Sequence, residues 1–356
     1  MRTVRLCGMI LLLVVALAGQ TLTGQPAVPV QATAAIVDAF RTHSVVAVTA
    51  GHGEERGYAF LVSLIRDPRF VKVVNDIVIE EGNSHYQDVA DRFVRGEIVA
   101  PESLRAIWRD NTQPGLSADE PWEQIFTAVR LVNASLGKAR QIRIVLGDPP
   151  IDWKNVSTTA DHRRWIEMRE TVPVELIQRE VLAKRRRALV TYGQMHFQRK
   201  QILANYESEG AAETLVSRLE KLTGIKVFTI FTFTEIAKLQ PSVAAWPVPS
   251  IAKVRGTLLG EADLALYFPS MQQRYAIRDG KVTPIPRDQW RTLRAEDQFD
   301  AVLYPGLEPS RTIRVSRSQC LDSVGMDMIF RRMAIAALPQ AVMDRVKQDC
   351  DAITVK

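Results

Sequence analysis

Two of the chain's five histidines, His52 and His196, stand just past short β-branched runs that break at a glycine. Ser44 to Ala50 leads into Gly51-His52-Gly53-Glu54, and Ala188 to Tyr192 leads into Gly193-Gln194-Met195-His196. Two further apolar runs end in carboxylates. Val73 to Ile79 is followed by Glu80 and Glu81, and Ile142 to Leu146 by Gly147, Asp148 and, after two prolines, Asp152. A neutral imidazole binds metals and serves as a base near neutral pH. A carboxylate beside it orients the ring, ligates the same metal or relays its proton. His52 and His196 are therefore the sharpest candidates for catalysis or for holding a divalent metal, and Glu80 is a strand-end carboxylate that could join them. Glu54, Glu81, Asp148, Asp152, Arg169, Tyr192 and Gln194 lie in or near the same segments and are candidate substrate contacts. Arg163 and Arg169 could receive an anionic substrate group, whereas His43 and His162 read as surface residues. Strand alternation sends Glu80 and Glu81 to opposite faces, so only one of the two can face a shared site.

Those residues converge only if the four runs are neighbouring parallel strands, because ligands of open α/β sheets bind beyond the strands' carboxyl ends. The pattern between the runs supports that arrangement. Helical spacing of apolar residues is read over 54–66, 120–136 and about 211–222, with one long helix over 161–184. A fifth strand is read over 226–232, and the alternation of strand and helix argues a mainly parallel central sheet flanked by helices. Beyond residue 239 the character changes. Prolines at 241, 247 and 249 mark a loop, short strands and a hairpin are expected over 258–280, a buried strand over 299–304, and two helices over 325–350. The fold class is thus α/β with a C-terminal α+β elaboration. The expected organisation is a single domain over 34–356, with a core at 44–235 and the elaboration at 245–350.

The N-terminus reads as a targeting signal. Arg2 and Arg5 precede an apolar run, and Ala16-Leu17-Ala18 is a cleavage site, so residues 1–18 form a signal peptide and 19–33 a flexible leader. An exported protein, periplasmic or secreted, with no membrane span after cleavage is expected. Cys320 and Cys350 would then lie in an oxidising compartment, where they either pair or remain free. At 356 residues, 46% apolar and 24% charged, the composition is that of a globular protein. A formal charge of +6, spread along the chain apart from 184–187, gives no reason to expect nucleic acid as a partner. Zinc spacings of cysteine, H-E-x-x-H, the haem-attachment C-x-x-C-H, the G-x-S-x-G elbow and the phosphate loop are all absent from the sequence.

Gly193-Gln194-Met195-His196, between a strand and a helix, resembles the second G-x-x-H motif of the Tiki/TraB/ChaN/erythromycin-esterase superfamily. The segment 45–58, with Gly51-His52-Gly53-Glu54, resembles its first histidine motif, and Val78-Ile79-Glu80 its glutamate-ended strand. Arg169 stands where such proteins often carry an arginine, and Asp300 to Tyr304 is similar to a late strand of the esterase branch. Val48-Thr49 stands where the esterases have Gly-Glu. The resemblance implies a site of His52, Glu80 and His196 with Arg169 nearby. It leaves three readings: a hydrolase, metal-assisted or not, acting on an ester or amide of a small molecule or peptide; a ChaN-like haem or iron-binding protein with Tyr58, Tyr192 and Phe197 around the ligand; or a scaffold without activity.

Overall fold

The structure, a computed structural model, describes residues 24–49, 53–115, 117–199, 206–207, 213–233, 236–267, 275–278, 281–289, 293–308 and 310–354. The signal-peptide segment 1–18 and His52 lie outside these residues. The chain opens with β1 (Val30–Gln31) and α1 (Ala32–Ala39), then β2 (Val45–Thr49), α2 (Glu55–Arg66), α3 (Pro68–Val73) and β3 (Asp76–Asn83). Helices α4 (Gln87–Val94), α5 (Pro101–Arg109) and α6 (Asp119–Ala134) precede β4 (Arg143–Asp148). Next come α7 (Thr159–Glu167), α8 (Val172–Leu176), β5 (Ala188–Tyr192), β6 (Tyr206–Glu207), α9 (Leu215–Thr223) and β7 (Phe228–Thr232). The remainder comprises α10 (Ile236–Leu239), β8 (Ser250–Lys253), α11 (Leu258–Glu261), β9 (Tyr275–Arg278), β10 (Lys281–Pro284), β11 (Ala301–Tyr304), α12 (Arg317–Leu321), α13 (Ser323–Ile335) and α14 (Gln340–Thr354).

One eight-stranded sheet runs β1-β8-β11-β7-β2-β5-β3-β4. The six strands from β11 to β4 pair in parallel, and β8 and β1 close one edge antiparallel. The α/β expectation therefore holds. Alternation along each parallel strand divides the core in two. Val45, Ala47, Val78 and Val190 pack under α8, α9 and the C-terminal segments, and Val46, Val48, Ile77, Ile79 and Leu189 under α1, α2 and α6. Burying each of these valine, isoleucine and leucine side chains is worth about 1.5–3 kcal/mol. No helix among the described residues is long and apolar enough to cross a membrane.

Four expectations about elements need correction. Residues 24–33, read as flexible leader, pack on the body: Ala27 is buried and exchanges two hydrogen bonds with the Gln240 amide, and β1 pairs with β8. The second strand begins at Asp76 rather than 73, because Asp67 caps and Pro68 starts a helix that consumes Val73. The long helix over 161–184 is broken between Glu167 and Val172 and resumes through α8 into a wide-turned stretch, Ile177–Leu182. Leu258–Glu261 is a helical turn capped by Thr257, not a strand, although the expected hairpin forms as β9–β10. Cys320 and Cys350 form a disulfide that ties α12 to α14 around a separate small cluster of Val315, Met326, Ile329, Met333 and Val346.

Candidate functional site

The carboxyl ends of β2, β3, β5 and β7 open into one cavity of about 530 Å³. Its walls include Thr49, Glu54, Glu80, Gln113, Arg169, Gln194, His196 and Thr232. Glu80 shares the strand face of Val78, and parity therefore aims it at the cavity side. Its Oε1 accepts from the Arg169 guanidinium and lies 3.2 Å from His196 Nε2, and its Oε2 accepts from the Gly193 N–H at 2.5 Å. His196 sits in the one-turn 3₁₀ segment Gln194–Phe197 that begins where β5 ends, and is 8% exposed. Its other nitrogen, Nδ1, faces Glu170 Oε1 at 2.6 Å, obliquely to the ring's hydrogen-bonding axis. Glu170 is fixed by accepting from the Leu215 N–H at the start of α9, 2.6 Å away.

Arg169 is nearly engulfed by acceptors. Besides Glu80 it has Asp148 at 3.7 Å and, with the Gln113 amide turned to suit the network, a Gln113 oxygen at 2.7 and 3.1 Å from two guanidinium nitrogens. Asp148 is buried and accepts from the Thr112 N–H at 2.7 Å and the Thr112 hydroxyl at 2.6 Å. Burial pushes its carboxyl up to about 7, against the pull of Arg169 and the Thr112 hydrogen bonds. Burial works the other way on His196, opposing its charge. The Glu80 charge and the Glu170 contact outweigh that, so His196 is raised to about 9. At neutral pH the site thus holds an imidazolium between two carboxylates, with a guanidinium alongside.

The structure brings Glu54, Glu80, Arg169, Gln194 and His196 to one cavity. Thr49 and Glu54, which flank residues 50–53 in sequence, both line it, and the turn from Gly53 is held by the C-terminal segment through Ile313 N–H to Gly53 O at 2.7 Å and Glu55 N–H to Arg311 O at 3.0 Å. Gly53 adopts φ +73°, and a Cβ there would lie 2.4 Å from the Ile313 carbonyl oxygen. Four expected substrate contacts have other surroundings. Glu81 faces the opposite layer, where it accepts from Trp122 Nε1 at 2.8 Å and the Tyr58 hydroxyl at 3.4 Å. Asp152 caps its own turn through Lys154 N–H and the Asn155 amide. Asp148 lies behind Arg169. Tyr192 lies behind His196, its ring edge-on to the imidazole at 5.4 Å between centroids and its hydroxyl without a hydrogen-bond partner. His162, expected at the surface, is buried, stacked on Trp153 with Nε2 2.9 Å from the Thr112 carbonyl. Glu170 and Gln113 were not foreseen, since neither sits in a strand-end motif.

Glu80 and His196, as held here, are poorly placed to ligate a metal. Both Glu80 oxygens are engaged by cations or N–H groups, and both His196 nitrogens face carboxylates that favour the protonated, non-ligating ring. No group of three His, Cys, Asp or Glu among the described residues has metal-holding geometry. A ligand role for His52 falls outside the described residues.

Fold and site together define an open α/β protein with a polar acid–base cluster at the carboxyl edge of its sheet. No protein-family model matches the chain, and no curated protein matches it. Among solved structures it is similar to a mutant of the erythromycin esterase EreC in its open conformation, with a TM-score of 0.49 at 10% identity over 78% of this chain and 94% of that one. A Bacillus cereus protein gives a TM-score of 0.45 at 10% identity over 81% and 97%. ChaN of Campylobacter jejuni, a structure of cofacial haem binding, gives 0.34 at 10% identity over 58% and 91%. At these distances no residue's role transfers to this chain.

Proposed function

We propose that the chain is an exported hydrolase that cleaves an ester or amide bond, with Glu80 and His196 as its acid–base pair. The observation that carries this reading is a histidine held between Glu80 and Glu170 on the wall of a cavity of about 530 Å³, beside the Arg169 guanidinium. Glu80 takes a proton from water as the water oxygen bonds to the carbonyl carbon. Arg169, which lines the cavity, is the cation beside the developing oxyanion. The His196 imidazolium then gives its proton to the leaving oxygen or nitrogen as that bond to carbon breaks. Glu80 returns its proton to His196 across the 3.2 Å contact, which regenerates the site. Glu170 holds the imidazole ring throughout. His52, between two cavity-lining residues in sequence, is the proposed second histidine. The Cys320–Cys350 disulfide is in keeping with an exported location.

The test is a panel of p-nitrophenyl esters and p-nitroanilides assayed with the native chain, Glu80→Gln and His196→Asn. Removing a general acid or base costs about 10²–10⁴-fold, so both variants should lose at least a hundredfold in kcat. Variants that keep their activity within a few-fold would refute the pair. A Soret band on adding hemin that disappears in His196→Ala would replace this reading with haem binding.

A further inference from the structure

The crevice along the sheet's carboxyl edge does not end at the polar cavity. Thr232, at the end of β7, also lines a second chamber of about 610 Å³ that extends over β7 and β11. Leu303 forms part of the wall over the sheet, Phe60 of α2 lines one side, and Val248, Pro249 and Leu307 line the others. The turn at Gly306 narrows the chamber. A Cβ there would come 3.4 Å from Val248 and 3.5 Å from the Arg56 guanidinium. The two chambers therefore differ in chemistry while sharing a wall residue, and Thr232 is fixed at that junction by reciprocal hydrogen bonds with Thr49.

Val248 and Leu307 are 60% and 49% exposed and line a chamber that meets the polar cavity at Thr232. Ligand pockets are largely apolar with a few polar groups that fix orientation, and in open α/β sheets they follow the strands' carboxyl ends. Resting on the hydrolase reading, we propose that this chamber is the binding site for the apolar portion of the substrate, an alkyl or ring group joined to the bond cleaved at Glu80 and His196. The substrate class is then an amphiphilic ester or amide, its polar end toward Glu54 and its apolar end between Phe60 and Leu307.

Two readouts separate this inference from the reading beneath it. The first is binding of the uncharged apolar fluorophore N-phenyl-1-naphthylamine, which needs no catalysis. Ala244 is exposed and lines the chamber, so Ala244→Trp fills it without disturbing the core, and Leu307→Asp places a charge in it. The native chain should bind the probe saturably, and both variants at least tenfold more weakly. The second is the ratio of kcat/KM for p-nitrophenyl octanoate over acetate, which should fall at least tenfold in Ala244→Trp. No saturable binding, or equal binding in all three proteins, overturns the chamber. Probe binding with an unchanged ester ratio overturns its assignment to the substrate. If the native chain cleaves neither p-nitrophenyl esters nor p-nitroanilides, the hydrolase reading fails while the probe still decides whether the chamber takes apolar ligands.

Discussion

Gly147 and Tyr192 make a pair whose coupling can be worked out from the geometry. A Cβ built at Gly147 would fall 1.8 Å from the Tyr192 hydroxyl oxygen, 2.9 Å from the Ile79 carbonyl oxygen and 3.0 Å from Tyr192 Cζ. Tyr192 and Ile79 are both buried, so neither gives way cheaply. Overpacking of this kind costs about 1–3 kcal/mol, and the shortest distance puts Gly147→Ala at the upper end. The Tyr192 hydroxyl has no hydrogen-bond partner, and a buried unsatisfied group costs about 1–3 kcal/mol. Tyr192→Phe should therefore be neutral or stabilising by about 1 kcal/mol. In the double variant the worst clash is gone and contacts near 3 Å remain. The double-mutant cycle should then give a favourable coupling of about 1.5–2 kcal/mol. Urea unfolding of the four proteins at constant m-value measures it. A coupling below about 0.5 kcal/mol, the usual limit of additivity, would refute the reasoning. So would a Tyr192→Phe that loses more than about 1 kcal/mol, because the hydroxyl would then have a real partner. The same cycle reads the site, since the Tyr192 ring abuts His196: activity should fall in Gly147→Ala and recover in the double variant.

Other consequences follow from the same geometry. His196 is raised from 6.5 to about 9, so its contribution to stability is complete below pH 6.5 and is lost as pH rises through 9. Shifts of that size correspond to on the order of 3 kcal/mol, and His196→Asn should flatten the alkaline limb of a stability–pH curve. Activity that depends on the imidazolium should fall over the same limb and show no such break in the variant. Glu81→Gln should leave ester hydrolysis within about threefold while costing about 1–3 kcal/mol of stability through the Trp122 contact, in contrast to its neighbour Glu80. Replacing Cys320 and Cys350 by serine opens a loop of separation 30, which should cost about 3–4 kcal/mol on a chain-entropy estimate, read as a lower melting temperature.

Much of the sheet was legible because buried parallel strands read as nearly continuous β-branched runs, and the glycines and charged residues after them marked the carboxyl edge. Alternation also established that Glu80 and Glu81 part company. It could not say which one meets the cavity, because that depends on which helical layer covers each face. Leader residues 24–33 failed for a different reason. Their composition is low in pattern, yet the Gln240 amide and the free edge of β8 supply the partners that the segment lacks locally. The burial of His162 was equally invisible, since its partners Trp153 and Thr112 belong to two other loops.

The break in the helix over 161–184 shows why the site itself was only half legible. In a continuous helix, consecutive residues point about 100° apart and do not share a face. Arg169 and Glu170 nevertheless both reach the His196 cluster, one through Glu80 and the other at Nδ1. Both lie in the turn between Glu167 and Val172, where one helix has ended and the next has not begun. Pro173 was the available signal: a proline inside a helical pattern ends or kinks the helix near it, and here it stands in the first turn of α8. Reading that proline as a helix start would have placed Arg169-Glu170 in a loop, where adjacent charged residues can act on one centre. The imidazolium between two carboxylates is therefore a product of that interruption. Glu170→Ala, which removes the acceptor of the Leu215 N–H and the Nδ1 partner together, should lower the alkaline limit of the pH–rate profile set by His196 as well as the rate itself.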